Sequence, residues 1–249
     1  MNRCPNNLLA LAVALFLSGG AVFADAVTDG FTAFEKSDFP AAVRAFETAV
    51  SANPPSAGLY YNLGLSQRKN DQGPEAAVSF RRALMLDPRM IDARMALSDL
   101  ERAFGISLAP ANWKTILAEK VPLAPLLYGG FTVFWIGAFV FVFAIFRSPA
   151  RPGQTTAGVV LGVFGAVLFY AAFASDPRYS DRDLAVIGGS GETTLHSVPA
   201  DRSDLVAKLP AGSPVRLLSQ NGAWAYCETT TGARGWTQSS VILPVRPPA

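Results

Sequence analysis

Apolar positions change period three times along the chain. The opening is a short apolar block, Leu8 to Leu17, which Ser18-Gly19-Gly20 interrupts. From residue 26 to 104 apolar residues recur at helical spacing, as in Ala93, Leu97, Leu100 and Phe104, which predicts amphipathic helices. Two unbroken apolar runs follow. Leu126 to Phe146 is 21 residues without a charge, and Thr155 to Ala174 is 20 residues without one. Each is long enough as a helix to cross about 30 Å of hydrocarbon. Beyond them, over 184–243, the pattern shortens to alternation, as in Leu205-Val206-Ala207-Lys208-Leu209 and Trp224-Ala225-Tyr226-Cys227, with Pro-Ala-Gly, Asn-Gly and Thr-Gly between the segments. This is the pattern of short antiparallel strands closing a small barrel.

The opening block is too short to span a bilayer. Arg3 before it and Val22-Phe23-Ala24 after it predict a secretory signal peptide over 1–24; an uncleaved anchor is the alternative. Composition supports the membrane reading. Of the 249 residues 50% are hydrophobic and 16% charged, the net charge is +2, and the mean hydropathy is +0.26. Soluble domains carry about 25% charged residues, and the two apolar runs account for the difference. The expected order is a segment over 25–106, a juxtamembrane stretch over 107–125, spans over 126–146 and 155–174 joined by a 147–154 loop, a 175–183 linker, the barrel and a 244–249 tail. Arg147 and Arg151, with no acid between them, mark the loop as cytoplasmic. Both folded parts are then expected outside the cytoplasm, on the inner membrane of a bacterium, in contact with lipid.

The helical segment repeats. Gly30, Ala42, Phe46, Ala49 and Pro54 return as Gly64, Ala76, Phe80, Ala83 and Pro88, each offset by 34. A 34-residue period with Leu63-Gly64, Ala76-x3-Phe80 and a closing Pro88 resembles tetratricopeptide repeats. That resemblance implies paired helices A and B, a capping helix over Ile91–Phe104, and a peptide-binding face on the A helices. On this face it assigns Tyr61, Asn62, Leu65, Arg68 and Arg94; the competing expectation is that Tyr61 and Leu65 pack against the next helix. The series Ser197-Val198-Pro199, Leu209-x2-Gly212-x2-Val215, Gly222-x-Trp224 and Gly232-x2-Gly235-Trp236 resembles the bacterial SH3-type domain. Alternation puts Trp224 and Tyr226 on one face, as core or as an aromatic groove, and Trp236 is expected in the core. The fold class is thus multi-domain: an α-helical tetratricopeptide stack, a two-helix transmembrane hairpin and a small all-β SH3-like barrel.

Catalytic chemistry has little to stand on. His196 is the one histidine, Cys4 and Cys227 are the two cysteines, and no carboxylate pair stands at acid–base spacing. Gly188-Gly189-Ser190-Gly191 lacks the Lys-Ser/Thr of a phosphate loop and reads as a flexible link from the second span to the barrel. Neither enzyme activity, nor a metal, nor a cofactor is expected. The modest charge argues against nucleic acid. Gly158-x3-Gly162 predicts close helix packing, either within the hairpin or between copies. Cys227 is expected to be buried. The order of parts looks like BatE-like proteins of bacterial aerotolerance operons. That resemblance implies a non-enzymatic, membrane-tethered interaction scaffold with von Willebrand factor A-type membrane partners. The alternative is a peptidoglycan-binding envelope protein acting through the SH3-type domain.

Overall fold

A computed structural model describes residues 26–52, 54–106, 113–146, 152–176, 181–200 and 203–246. The expected signal peptide lies outside the described residues, as does most of the 147–154 loop. The chain divides into two compact units. One joins residues 1–108 to 183–249; the other is 109–182.

The first unit begins with helices in pairs. α1 covers 26–35, followed by α2 (Phe39–Ala52), α3 (Ala57–Lys69), α4 (Gly73–Leu86) and α5 (Ile91–Ala103). The 34-residue period is physical. A methyl group placed on Gly30 would sit 2.8 Å from the Phe46 ring, and one on Gly64 would sit 2.7 Å from the Phe80 ring. Each glycine is the hole its phenylalanine fills, and both rings are buried. Helix ends repeat as well. Ser37 and Asp71 take left-handed φ values of 60° and 59°, and Gly105 takes 66°. The bonds Asp38 N to Ala33 O, Gln72 N to Gln67 O and Ile106 N to Glu101 O close the three turns identically. A left-handed residue followed by such a six-residue bond satisfies the last carbonyls of a helix. α5 is therefore a third copy of the first helix of a pair, with the same exit. Two polar contacts tie the layers: Ser79 Oγ donates to Gln67 Oε1 at 2.7 Å in the interior, and Arg81 pairs with Glu101, part-buried between α4 and α5.

The same unit contains a seven-stranded antiparallel sheet, ordered β3-β2-β6-β5-β4-β1-β7. Its strands are β1 (Leu184–Ile187), β2 (Thr193–His196), β3 (Leu205–Leu209), β4 (Pro214–Asn221), β5 (Trp224–Thr229), β6 (Arg234–Gln238) and β7 (Ile242–Pro244). Ala185, Ile187, Val215, Ala225 and Cys227 form its interior, with Leu209, Leu217 and Ile242 against them. Successive strand residues face opposite sides, so β1 and β7 also present an outer row. Leu184, Val186, Leu243 and Val245 join Ala77, Val78 and Phe80 in one cluster. Hence the sheet packs on α4. Val186 and Val245 are fully buried there, and Arg82 closes the contact, its Nε donating to Val245 O at 2.7 Å and its Nη2 to Pro244 O at 3.1 Å.

Two sequence expectations change at this contact. Gly188 to Gly191 is a turn inside the sheet between β1 and β2, because Leu184–Ile187 is a strand ahead of it. The segment expected to be a loose tail begins with Pro244 in β7 and a buried Val245.

The second unit holds α6 (Trp113–Lys120), α7 (Leu123–Phe146) and α8 (Pro152–Ser175). α7 and α8 are long and apolar enough to cross a membrane, with Ala124–Phe146 and Gly153–Ser175 each at hydropathy 2.2. They pack antiparallel along Gly130, Phe134, Gly137, Phe141 and Ala144 on one side and Gly158, Gly162, Gly165, Phe169 and Ala172 on the other. Both rows step by four and three residues, the spacing of a left-handed helix pair. A methyl on Gly137 would lie 2.3 Å from the Gly162 nitrogen, and one on Gly165 would lie 2.3 Å from the Phe134 nitrogen. Backbone meets backbone here, as small residues permit. The seam uses Gly158 and Gly162 within the hairpin.

Candidate binding surfaces

On the helical repeats, the residues expected to form a groove divide. The Tyr61 ring is half-buried and lies 6.0 Å from the Phe80 ring. Burial, with the Asp92 carboxylate nearby, raises the Tyr61 phenol above its ordinary value. Leu65 is half-buried against the same apolar cluster. Tyr61 and Leu65 thus share in packing the interior. The Asn62 carbonyl accepts from Ser66 Oγ at 2.9 Å; the residue is half-buried and Arg68 is exposed. Arg94 folds back and donates to the carbonyl of Pro88, fastening the α4–α5 turn. Sequence reasoning passed over the exposed apolar side chains on these elements. Phe31 is 45% exposed, Ile91 66% and Met95 60%. Ile91 and Met95 lie one turn apart on α5, a spacing visible in the sequence.

The sheet carries the second surface. On β5, Ala225, Cys227 and Thr229 are buried, whereas Trp224, Tyr226 and Glu228 are half-buried on the opposite side. Trp224 and Tyr226 therefore lie on the outer face. Trp236 joins them, against the expectation that it fills the core. Cross-strand pairing is the reason. Tyr226 stands opposite Trp236, and Cys227 opposite Gly235. Gly235 and Thr237 point inward, so Trp236 points outward. The Tyr226 and Trp236 rings sit 5.0 Å apart. His196 continues the row from β2, opposite Trp236, with its ring 6.4 Å from Trp224.

The His196 ring is held from both sides. Its Nε2 lies 2.9 Å from Thr194 Oγ1 and its Nδ1 lies 3.4 Å from Ser203 O. A carbonyl oxygen only accepts, so a proton on Nδ1 satisfies both contacts, and the Thr194 hydroxyl donates to Nε2. Past the His196–Trp236 pair, β2 and β6 part. They leave a polar cleft of about 160 Å³ lined by Glu192, Thr194, His196, Trp224, Gln238 and Val241. On the inner side, burial pushes the Cys227 thiol up to about 11, which keeps it protonated and unreactive at neutral pH.

Among the described residues, no group of three or more His, Cys, Asp or Glu side chains could hold a metal ion. No protein-family model matches the chain. Together the surfaces offer exposed apolar and basic positions on the helices and an aromatic row beside a polar cleft on the sheet, features suited to binding.

Proposed function

We propose that this chain is a non-enzymatic, membrane-anchored interaction scaffold of the bacterial cell envelope, similar to BatE-like proteins. In this reading the paired helices are tetratricopeptide repeats and the sheet is an SH3-type barrel. α7 and α8 hold both at the inner membrane, on its extracytoplasmic side. One observation carries the argument. Residues 26–106 and 183–246, which α7 and α8 separate in the chain, share a single apolar cluster through Val78, Phe80, Val186 and Val245. Two spans return the chain to its starting side, and a shared core requires that return. The repeated left-handed turns at Ser37, Asp71 and Gly105 support the repeat reading. The basic loop supports the compartment.

The partners on this reading are membrane proteins of von Willebrand factor A type, taken up by the face that carries Arg68, Ile91 and Met95. Reporter fusions test the topology. A periplasm-active reporter works after Val121 and after Ala249 and fails after Pro152; activity only at Pro152 rejects the proposal. Cross-linking in membranes tests the partner side: Arg68→Ala combined with Met95→Ala lowers capture, and unchanged capture rejects that face. A second reading is peptidoglycan binding, supported by the outward row of Trp224, Tyr226, Trp236 and His196. Retention on isolated sacculi, lost in Trp224→Ala, distinguishes it.

A further inference from the structure

α7 has a second row opposite the one it shares with α8. Tyr128, Thr132, Trp135, Phe139, Val142 and Phe146 step alternately by four and three residues, as the Gly130–Ala144 row does. At about 100° per residue they lie on the far side of the helix from that row. All six are exposed. The residues of α7 with hydrogen-bonding side chains are Tyr128, Thr132 and Trp135, and all three stand in this row. Trp135 is the central residue of the apolar stretch Ala124–Phe146. It is 47% exposed, and its ring is held between Phe131 at 6.1 Å and Phe139 at 6.2 Å. Its Nε1–H has no hydrogen-bond acceptor among the described residues. On the reading of α7 and α8 as membrane spans, on which the inference below rests, that N–H lies at mid-bilayer, where lipid offers no acceptor. Tryptophan is ordinarily kept at the membrane surface, where its N–H finds one.

Thr132 holds the matching acceptor. Its hydroxyl donates to Tyr128 O at 2.8 Å and keeps its lone pairs to accept. It lies about 4.5 Å along the axis from Trp135, on the side toward which helical side chains lean. Level with Trp135, α8 turns Val163, Phe164 and Val167 outward, and none of these can accept. Copies of one chain in one membrane share an orientation, so equal residues lie at equal depth. Two α7 helices set side by side on this row bring each Trp135 N–H to the Thr132 hydroxyl of the other. We infer that the Tyr128–Phe146 row is a self-association seam, occupied by α7 of a second copy of this chain in a parallel two-fold pair. Two reciprocal Trp135–Thr132 hydrogen bonds hold it, and one two-fold rotation satisfies both donors. Gly129, beside Thr132, leaves room for the approach, since a methyl there would meet nothing within 4 Å. Anchoring in one membrane raises the effective concentration that such a contact needs.

The test uses the full chain in native membranes. Phe139→Cys, oxidised with copper phenanthroline, gives a disulfide-linked dimer, because the same seam residue of two parallel helices faces itself. Val163→Cys, on the outer side of α8, stays at the background that the two native cysteines set. Sedimentation equilibrium of the purified chain in a neutral detergent gives the association constant without an added cysteine. Trp135→Phe keeps a ring and removes the N–H; it lowers that constant about five- to tenfold, the worth of two interhelical hydrogen bonds in a membrane. Thr132→Val lowers it equally, and the double variant is no weaker than either single one, because both remove the same bonds. A monomer in both measurements overturns the inference. So does association that ignores Trp135→Phe, an additive loss in the double variant, or equal cross-linking at Val163→Cys. Cross-linking of Phe139→Cys to a different protein in place of a dimer assigns the seam to a foreign helix, and overturns it too. A chain that alkaline carbonate strips from membranes overturns the span reading as well, whereas a chain that stays in the membrane unpaired overturns the seam alone.

Discussion

Glycine does opposite work in the two units. In the paired helices, Gly30 and Gly64 are sockets for the Phe46 and Phe80 rings. In the α7–α8 pair, Gly130, Gly137, Gly158 and Gly165 face main chain of the other helix. The difference follows from the solvent that the proposed membrane anchoring gives each unit. In water, burying a ring drives two helices together, by roughly 25 cal/mol per Å² of apolar surface. In lipid the surroundings are as apolar as the side chain, and close backbone approach with its dispersion contacts takes over. One unit is held by what fills the hole, the other by the absence of anything in it.

Phe80→Ala breaks the first half of that comparison. Emptying the socket costs about 3–5 kcal/mol, and amide exchange in α3 and α4 should quicken together while α7 and α8 keep their protection. Next comes Gly137→Ala. Its methyl meets Gly162 backbone, which yields only if the helices separate by about 1–2 Å. Gly162→Ala is the control, since a methyl there meets nothing within 4 Å. Spin-label distances between positions 128 and 170 report both, and equal widening would contradict the seam. Smaller is Val245→Ala, which removes two methyl groups from the sheet–α4 contact, about 1–2 kcal/mol. It should loosen β7 without disturbing the Phe46 socket, a separation that exchange in α2 against β7 resolves. Smallest is the tryptophan pair. Both face outward, but the Trp236 ring lies 5.0 Å from Tyr226, closer than the 6.4 Å between Trp224 and His196, so Trp236→Ala should cost about 0.5–1.5 kcal/mol more than Trp224→Ala. Thermal unfolding of the full chain decides the order.

Local signals carried much of this architecture. The 34-residue spacing of Gly64 and Phe80 anticipated helix pairs, and two uncharged runs anticipated α7 and α8, because each depends on neighbours close in sequence. The turn at Gly105, which repeats those at Ser37 and Asp71, has no sign in the sequence, because no Ala-x3-Phe follows it to mark a new pair. Trp236 was placed inside on the room that Gly235 affords, when its side is set by which residue of β5 it faces. Leu184-Ala185-Val186-Ile187 is apolar at every position because it is buried on both faces, and the second face belongs to α4, more than a hundred residues earlier. The resemblance to tetratricopeptide repeats implies a groove role for Arg94; in the fold its guanidinium also donates to the Pro88 carbonyl in the preceding turn, a contact that helix periodicity does not show. Long-range pairing decided what periodicity left open.

The shared cluster of Val78, Phe80, Val186 and Val245 also has a consequence for biosynthesis. Ribosomes make the helical half first, and the strands that complete its apolar face come last. At about 5–20 residues per second, the interval between Ile106 and Val245 is roughly 7–28 s. Throughout it the outer face of α4 stands uncovered while the two long apolar helices α7 and α8 are being made. The newborn chain therefore passes through a stage in which half of it is folded and adhesive, and any premature stop ahead of β1 would leave it there, exposed to chaperones and proteases as a permanent intermediate.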